Sequence, residues 1–218
     1  LIERAEMGGD CLNTGCVPSK ALLSVAHLAA EARRAPGYGV MVPPPVIDWA
    51  LVQAAVKRAI GTIAPHDSEE RFRGLGVEVL RAGAHFTGRN SLDVGGRRLV
   101  FRRAVVAAGS RAVVPPIPGL QQVPFLTHET LFDLPHCPAH LLVLGGGPIG
   151  LEMALAFRRL GARVTLVEQA QIAAREDQEA VAVLRAALVS EGVELREGVA
   201  IAALSREGEG LRARLSDG

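Results

Sequence analysis

The sequence predicts an α/β fold with a dinucleotide-type turn in its C-terminal part. Three observations point there. From Leu141 onward the chain alternates strand, helix, strand, helix, strand, the pattern of a parallel sheet with crossover helices. The first strand of that series runs straight into Gly145-Gly-Gly147-Pro148-Ile149-Gly150, a G-x-G-x-x-G turn. Before it lies a run of short strands, and before those lie two amphipathic helices.

Leu1-Ile2-Glu3 reads as the end of a strand entered midway, and Met7 to Gly15 as a glycine-containing loop. Val17 to Arg34 reads as a helix because Ala21, Leu22, Val25, Leu28 and Ala29 share one face. Pro36 to Pro45 breaks it, with Gly37, Gly39 and three consecutive prolines. Asp48 is placed to cap a second helix, Trp49 to Thr62, apolar at Leu51, Val52, Ala55, Val56 and Ile60. Ser68 to Leu75 continues helically after Pro65. Val77 to Leu80, Ala84 to Thr87, Ser91 to Val94, Arg97 to Phe101 and Ala104 to Ala107 read as short strands, with a hairpin at Gly95-Gly96. Pro115 to Gly119 is a loop, and Leu134 to Pro138 marks a boundary. Then follow strand Leu141 to Leu144, helix Pro148 to Leu160, strand Arg163 to Val167, helix Asp177 to Glu191 and strand Val193 to Arg196. Leu211 to Gly218 reads as a strand running into a turn.

Composition narrows the function classes. With 218 residues, 49% hydrophobic and 22% charged, the chain is a folded one. A net charge of +1, from 24 Lys+Arg against 23 Asp+Glu, offers no field for nucleic acid or an anionic membrane. Aromatics at 4% are too few for stacking single-stranded bases. No apolar run reaches membrane-spanning length. The first residues lack a basic segment followed by an apolar core, so no signal peptide is expected. They also lack a Met, and both ends read as interior points of a longer chain. Three cysteines are too few for a disulfide scaffold and suit a cytoplasmic protein in which a reactive pair is catalytic.

The glycine turn has the context its chemistry needs. Gly145 makes the tight turn, Gly147 lets backbone approach a pyrophosphate, and Gly150 lets helix and strand pack closely. The helix start supplies free N–H groups and a positive dipole end. Glu168, at the end of the second strand, can accept from ribose hydroxyls and repel a 2′-phosphate, which favours NAD over NADP. The nearest following arginine is Arg175, seven residues on. The bland alternative is a strand–helix turn with no ligand.

Cys11 and Cys16 have four residues between them, and Cys16 stands where a helix begins. Asn13 or Thr14 is expected as N-cap, with Pro18 in the first turn. A thiolate there is stabilised by the helix dipole. Lys20 follows one turn on. Three readings stand: a redox pair, a metal site and a structural bridge. Zinc wants two more Cys or His ligands and none is nearby, so no metal site is expected. A bridge over so short a loop stabilises little. Redox chemistry fits best. Cys137, alone between His136 and Pro138, reads as inert.

These motifs, in this order, resemble the class I pyridine nucleotide–disulfide oxidoreductases, a family that includes dihydrolipoamide dehydrogenase, glutathione reductase and mercuric reductase. Gly9-Asp10-Cys11-Leu-Asn-Thr-Gly-Cys16-Val-Pro-Ser-Lys20 is close to the family's redox signature. Ala107-Ala108-Gly109-Ser110-Arg111 is similar to its flavin-contact segment, with Ala108 in place of Thr. Ala64 to Phe72 and Val114 to Gly119 look most like mercuric-reductase-like members. The resemblance covers essentially the whole chain. It implies a Rossmann-like FAD/NAD(P)-binding fold of three-layer ββα type with two incomplete nucleotide-binding domains. Residues 1–137 would be the FAD domain without its first βα unit, and 138–218 a truncated NAD(P) domain.

The resemblance also implies roles. Cys16 matches the thiol that meets the flavin, and Cys11 the interchange thiol that attacks substrate. Lys20 matches the lysine near the flavin, and Glu152 the glutamate that pairs with it. Glu3, Gly9, Asp10, Ala84, Ala108, Gly109 and Ser110 match further FAD contacts. Gly145, Gly147, Pro148, Ile149, Gly150, Glu152, Glu168 and Val199 match NAD(P) contacts. For Lys20 and Glu152 the bland reading is a solvated helix position. Expected partners are a small disulfide, a quinone or a metal ion as substrate, and a second subunit joined through a C-terminal domain outside these residues. The activity is expected of the parent protein, with residues 1–218 alone inactive; the rival reading is a non-catalytic dinucleotide-binding piece, should the natural chain be this short.

Overall fold

The computed structural model describes residues 1–208 and 210–217. Helix α1 spans Gly9–Asn13, α2 Cys16–Arg34, α3 Trp49–Ile63 and α4 Glu69–Gly74. Strands β1 (Ala84–Gly88), β2 (Ser91–Val94) and β3 (Arg97–Val100) form an antiparallel sheet in that order. Strands β4 (His140–Leu144), β5 (Arg163–Glu168) and β6 (Glu194–Glu197) form a parallel sheet, with α5 (Pro148–Arg159) and α6 (Gln178–Ser190) as crossovers. Strands β7 (Ile201–Glu207) and β8 (Gly210–Leu215) close the chain as a hairpin.

Local chemistry accounts for the boundaries. Asp48 accepts from Leu51 N at 3.1 Å and starts α3. Asp177 accepts from the amides of Glu179 and Ala180 at 2.9 and 3.1 Å and starts α6. Gly95-Gly96 turns β2 into β3, with Val94 opposite Arg97.

The parallel sheet is covered on both faces. Leu141, Val143, Val164 and Leu166 pack with Phe157 of α5 and Val181 and Leu188 of α6. On the other face Leu142 and Val167 meet Leu120, Val123, Ile201 and Leu204. Helices, parallel sheet and β7–β8 hairpin therefore make the three expected layers. Helix α5 is buried on more than its sheet side: Leu151, Met153, Ala154, Ala156 and Phe157 are all buried. Helix α2 lays Leu22 and Ala26 into the same core, and α3 adds Val52 and Val56. Trp49 stacks near Phe157, centroids 5.6 Å apart, and donates its indole N–H to Leu134 O at 2.8 Å.

Three local expectations are corrected. The Met7 to Gly15 loop contains α1, because the Asn13 amide donates to Met7 O and Gly9 O at 3.0 and 2.9 Å and closes a turn. Val77 to Leu80 is not a full strand; it meets Leu1–Glu3 in one parallel bridge, Ile2 to Leu80. Ala104 to Ala107 is not a strand. Among the described residues nothing pairs with it, and Val105 and Val106 stand 93% and 72% exposed. A β-former without a neighbour has no ladder to join. Of the expected Leu211 to Gly218 segment, β8 covers the strand, and Gly218 lies outside the described residues. Among those residues no helix is long and apolar enough to cross a membrane.

The far ends of three helices are tied by one carboxylate. Glu191, just after α6, accepts from Arg159 Nε at 2.8 Å, from Arg159 Nη2, and from Arg34 Nη2 at 2.8 Å. Arg158 Nε donates to Glu191 O at 2.9 Å, and Arg33 Nη1 to Arg159 O at 2.6 Å. Cations suit these helix C-termini. The Arg159 and Glu191 side chains are only 14% and 15% exposed, so this pair is worth more than a surface one. Hydrogen bonding to Arg159 holds the Glu191 carboxyl below its usual range against the opposing effect of burial. Its folded pKa is depressed, so its stabilisation is complete above the unfolded pKa and is lost as pH falls through the folded one. We expect Glu191→Gln to cost about 1–3 kcal/mol at neutral pH. The gap to wild type should close in acid, as read by urea unfolding at both pH values. A gap that persists in acid would mean that the ion pair is not its source.

Candidate active site

Strand β4 delivers the chain to Gly145, whose φ of 101° is closed to other side chains and whose N–H donates to Val167 O at 2.9 Å. Gly147 begins α5 with extended backbone and no side-chain cap. A Cβ at Gly147 would meet nothing within 4 Å, so that side of the turn is open. A Cβ at Gly150 would stand 2.1 Å from Gly145 O, so helix and turn touch there. The first-turn amides have no helical partner, and Pro148 at the start removes one of them. Open space facing bare amides at a positive dipole end fits a pyrophosphate. Ile149 stands 60% exposed beside it.

Glu168 closes the other side of this turn. Its Oε2 accepts from Gly146 N at 2.8 Å and its Oε1 from Ala170 N at 2.9 Å. Val199 N donates to Glu168 O at 3.3 Å. A carboxylate has about four acceptor positions. Two are taken by the backbone, which leaves capacity for ribose hydroxyls.

The cysteines flank the start of α2. The expected N-cap is corrected: Asn13 is spent closing α1, and Thr14 Oγ1 donates back to Asp10 O at 3.4 Å. Gly15 occupies the cap with no side-chain hydrogen bond. A Cβ there would stand 2.9 Å from Asp10 O, a packing role that the sequence reading missed. Cys11 and Cys16 are exposed, unbridged and in contact. A hydrogen bond to Cys16 pushes the Cys11 thiol above its ordinary range, with burial and the charge of Cys16 adding to it. Burial pushes the Cys137 thiol up as well, away from reactivity.

Asp10 ties this pair to the flavin-like segment. Its Oδ2 accepts from Ser110 N at 3.1 Å. The neighbouring Gly109, at φ 71°, passes so close that a Cβ would stand 2.7 Å from that oxygen. The Ala108–Ser110 stretch is thus held against α1 at Asp10, the residue next to Cys11 in the chain. Glu3 Oε1 accepts from Ala5 N at 2.7 Å, and Ala84 opens β1 opposite Val94. Among the described residues no cluster of three or more His, Cys, Asp or Glu forms a metal site.

Lys20 joins the two halves. Its ammonium donates to Glu152 Oε1, one turn beyond Cys16 on α2 and just past Gly150 on α5. With side chains 63% and 34% exposed, this pair contributes no more than about 1 kcal/mol. The buried Leu22 and Ala26 hold the helices together.

A family profile described as pyridine nucleotide-disulphide oxidoreductase matches residues 1–218. Mercuric reductase of Streptomyces lividans is 36% identical over 224 residues, covering 99% of this chain and 47% of its own length. Mercuric reductase of Shigella flexneri is 36% identical over 204 residues, covering 90% of this chain and 36% of its own. The Cu(II) complex of the HOCl-induced flavoprotein disulfide reductase RclA from Escherichia coli superposes with a TM-score of 0.83 at 25% identity, over 100% of this chain and 47% of that one. The chain spans less than half the length of these relatives.

Two glycine substitutions separate packing from binding. Gly147→Ala has room for its methyl and should change stability by less than about 0.5 kcal/mol while weakening NADH at least tenfold in calorimetric titration. Gly150→Ala drives a methyl into backbone and should cost about 1–3 kcal/mol in urea unfolding. Undiminished NADH affinity in the Gly147 variant would remove the pyrophosphate from this turn.

Proposed function

The chain belongs to the pyridine nucleotide-disulphide oxidoreductase family, and from that premise we propose that it carries the thiol pair and dinucleotide turn of a flavoprotein disulfide oxidoreductase. The contact of Lys20 with Glu152 is the observation that supports this most, because it joins the thiol helix to the dinucleotide helix. FAD, when bound, relays two electrons between nicotinamide and disulfide. NADH and one proton thereby convert the Cys11–Cys16 disulfide into two thiols and release NAD.

The chain's own residues have separate tasks. The amides at Gly147 to Gly150 and the Glu168 carboxylate hold the dinucleotide. Asp10, through Ser110, fixes the thiol loop against the flavin segment. Cys11 attacks a substrate disulfide and expels its first thiol; Cys16 then attacks the Cys11 sulfur of the mixed disulfide, expels the second thiol and restores the Cys11–Cys16 pair. A metal ion held by the two thiolates is the other substrate class, which the mercuric reductase relatives favour.

Residues 1–137 and 138–218 are the flavin and dinucleotide units. The compartment is a reducing one, the cytoplasm, as the sparse cysteines suggest. The working form is a homodimer. NADH is preferred over NADPH. Two like charges at about 4 Å and an effective dielectric near 20 repel by roughly 4 kcal/mol, and solvent reduces this. A ten- to hundredfold preference is expected, about 1.4–3 kcal/mol.

The test is turnover of the flavin-loaded full-length protein that contains this chain, with NADH and either a small disulfide or mercuric ion. Cys11→Ala and Cys16→Ala should each lose at least about a thousandfold in kcat while retaining NADH affinity. Glu168→Ala should erase most of the preference for NADH over NADPH. Turnover kept within tenfold in either cysteine variant would overturn the thiol assignment. A wild type that binds NADH but never turns over would favour a dinucleotide-binding piece without catalysis.

A further inference from the structure

The segment after Glu168 is folded back onto the glycine turn by an ion pair that the proposed chemistry does not use. Ala173 sits at φ 45°, a left-handed conformation that costs a non-glycine residue about 1 kcal/mol or more and persists only where its surroundings enforce it. Two hydrogen bonds do so. Ala173 N donates to Gly146 O at 2.9 Å, and Ile172 N donates to Glu197 Oε1 at 2.8 Å. Glu197, at the end of β6, is in turn gripped by Arg185 of α6, through Nε at 2.6 Å and Nη2 at 3.0 Å. Ile172 is fully buried, and a Cβ on Gly146 would stand 2.7 Å from it. Gly146 is therefore held on both sides, its N–H by Glu168 and its carbonyl by Ala173. Gly198 N, next to Glu197, reaches Ala170 O at 2.9 Å. The chain distance from Glu168 to Arg175 is thus no measure of their separation in space, since the loop that carries Arg175 is pinned at Ala173 to the turn itself.

We infer that Glu197 and Arg185 are positioning residues for dinucleotide selection. They brace the 169–176 loop, and through it they fix Gly146 and the carboxylate of Glu168 where the adenosine ribose is read. The inference rests on the dinucleotide reading of the Gly145–Gly150 turn. Glu197 touches no ligand in this scheme; it acts through Ile172 N and the loop. Side chains 34% and 21% exposed at Arg185 and Glu197 make the pair partly sheltered, so that removal of either is felt.

The experiment measures equilibrium binding of NADH and NADPH by nicotinamide fluorescence, and amide hydrogen exchange over residues 169–176 without nucleotide. It compares wild type, Glu197→Ala, Glu197→Gln, Arg185→Met and the double variant Glu197→Ala/Arg185→Met. Glu197→Ala should raise the Kd for NADH five- to twentyfold, narrow the NADH-over-NADPH ratio at least threefold, and speed exchange in the loop. Glu197→Gln keeps an acceptor for Ile172 N and should fall between wild type and Glu197→Ala. Arg185→Met should act in the same direction, and its effect should not add to that of Glu197→Ala. Glu207→Gln, which breaks the exposed pair with Arg212 on the β7–β8 hairpin, should leave every readout unchanged. Folded Glu197→Ala protein with wild-type ratio and wild-type loop exchange would overturn the brace alone. A wild type that binds neither nucleotide would overturn the brace together with the dinucleotide reading beneath it.

Discussion

Helix α5 packs on the parallel sheet through its own apolar residues and receives α2 on another flank, and both sites depend on that double contact. Its N-terminus is the glycine turn, and its first exposed carboxylate, Glu152, meets Lys20 of α2. The sheet fixes where α5 starts, because Gly145 N is bonded to Val167 O and Gly150 lies against Gly145 O. Helix α2 starts at Cys16. Once these two helices are packed, the thiol pair and the dinucleotide turn have no independent freedom of position.

The forces in this arrangement divide by magnitude. Apolar burial dominates: Phe157 is fully buried, and truncating such a side chain costs about 3–5 kcal/mol. The Lys20–Glu152 pair, with Lys20 exposed and Glu152 half-buried, adds little to stability. The Glu191 knot at the opposite ends of α2 and α5 is sheltered and stabilises more. The helices are thereby pinned near both ends, with the apolar seam between.

Much of this could be read before the structure, and the reasons are local. The turn from Gly145 to Gly150 was legible because its constraints are local: Gly145 adopts a positive φ and Gly150 lies against Gly145 O. The helix starts at Asp48 and Asp177 were readable for the same reason: a cap acts over three residues. What failed needed distant partners. Ala104 to Ala107 has the composition of a strand, but composition supplies no neighbour. Asn13 was misread because its amide had two nearby carbonyls to choose from, and it closed α1 instead of capping α2. Gly146, to which the sequence motif assigns no task, packs on Ile172 and is bonded from both sides. The Arg185–Glu197 brace spans a helix and a strand, and no motif signals it.

The proposed electron path from the dinucleotide turn to the thiol pair is tested most directly by counting thiols. The flavin-loaded full-length protein is oxidised, made anaerobic and given one equivalent of NADH, then quenched with an alkylating reagent, and each cysteine is mapped by mass spectrometry. Cys11 and Cys16 should become alkylated together, two thiols for each NADH consumed, while labelling of Cys137 stays where it began. Consumption of NADH with no new label on Cys11 and Cys16 would contradict the path.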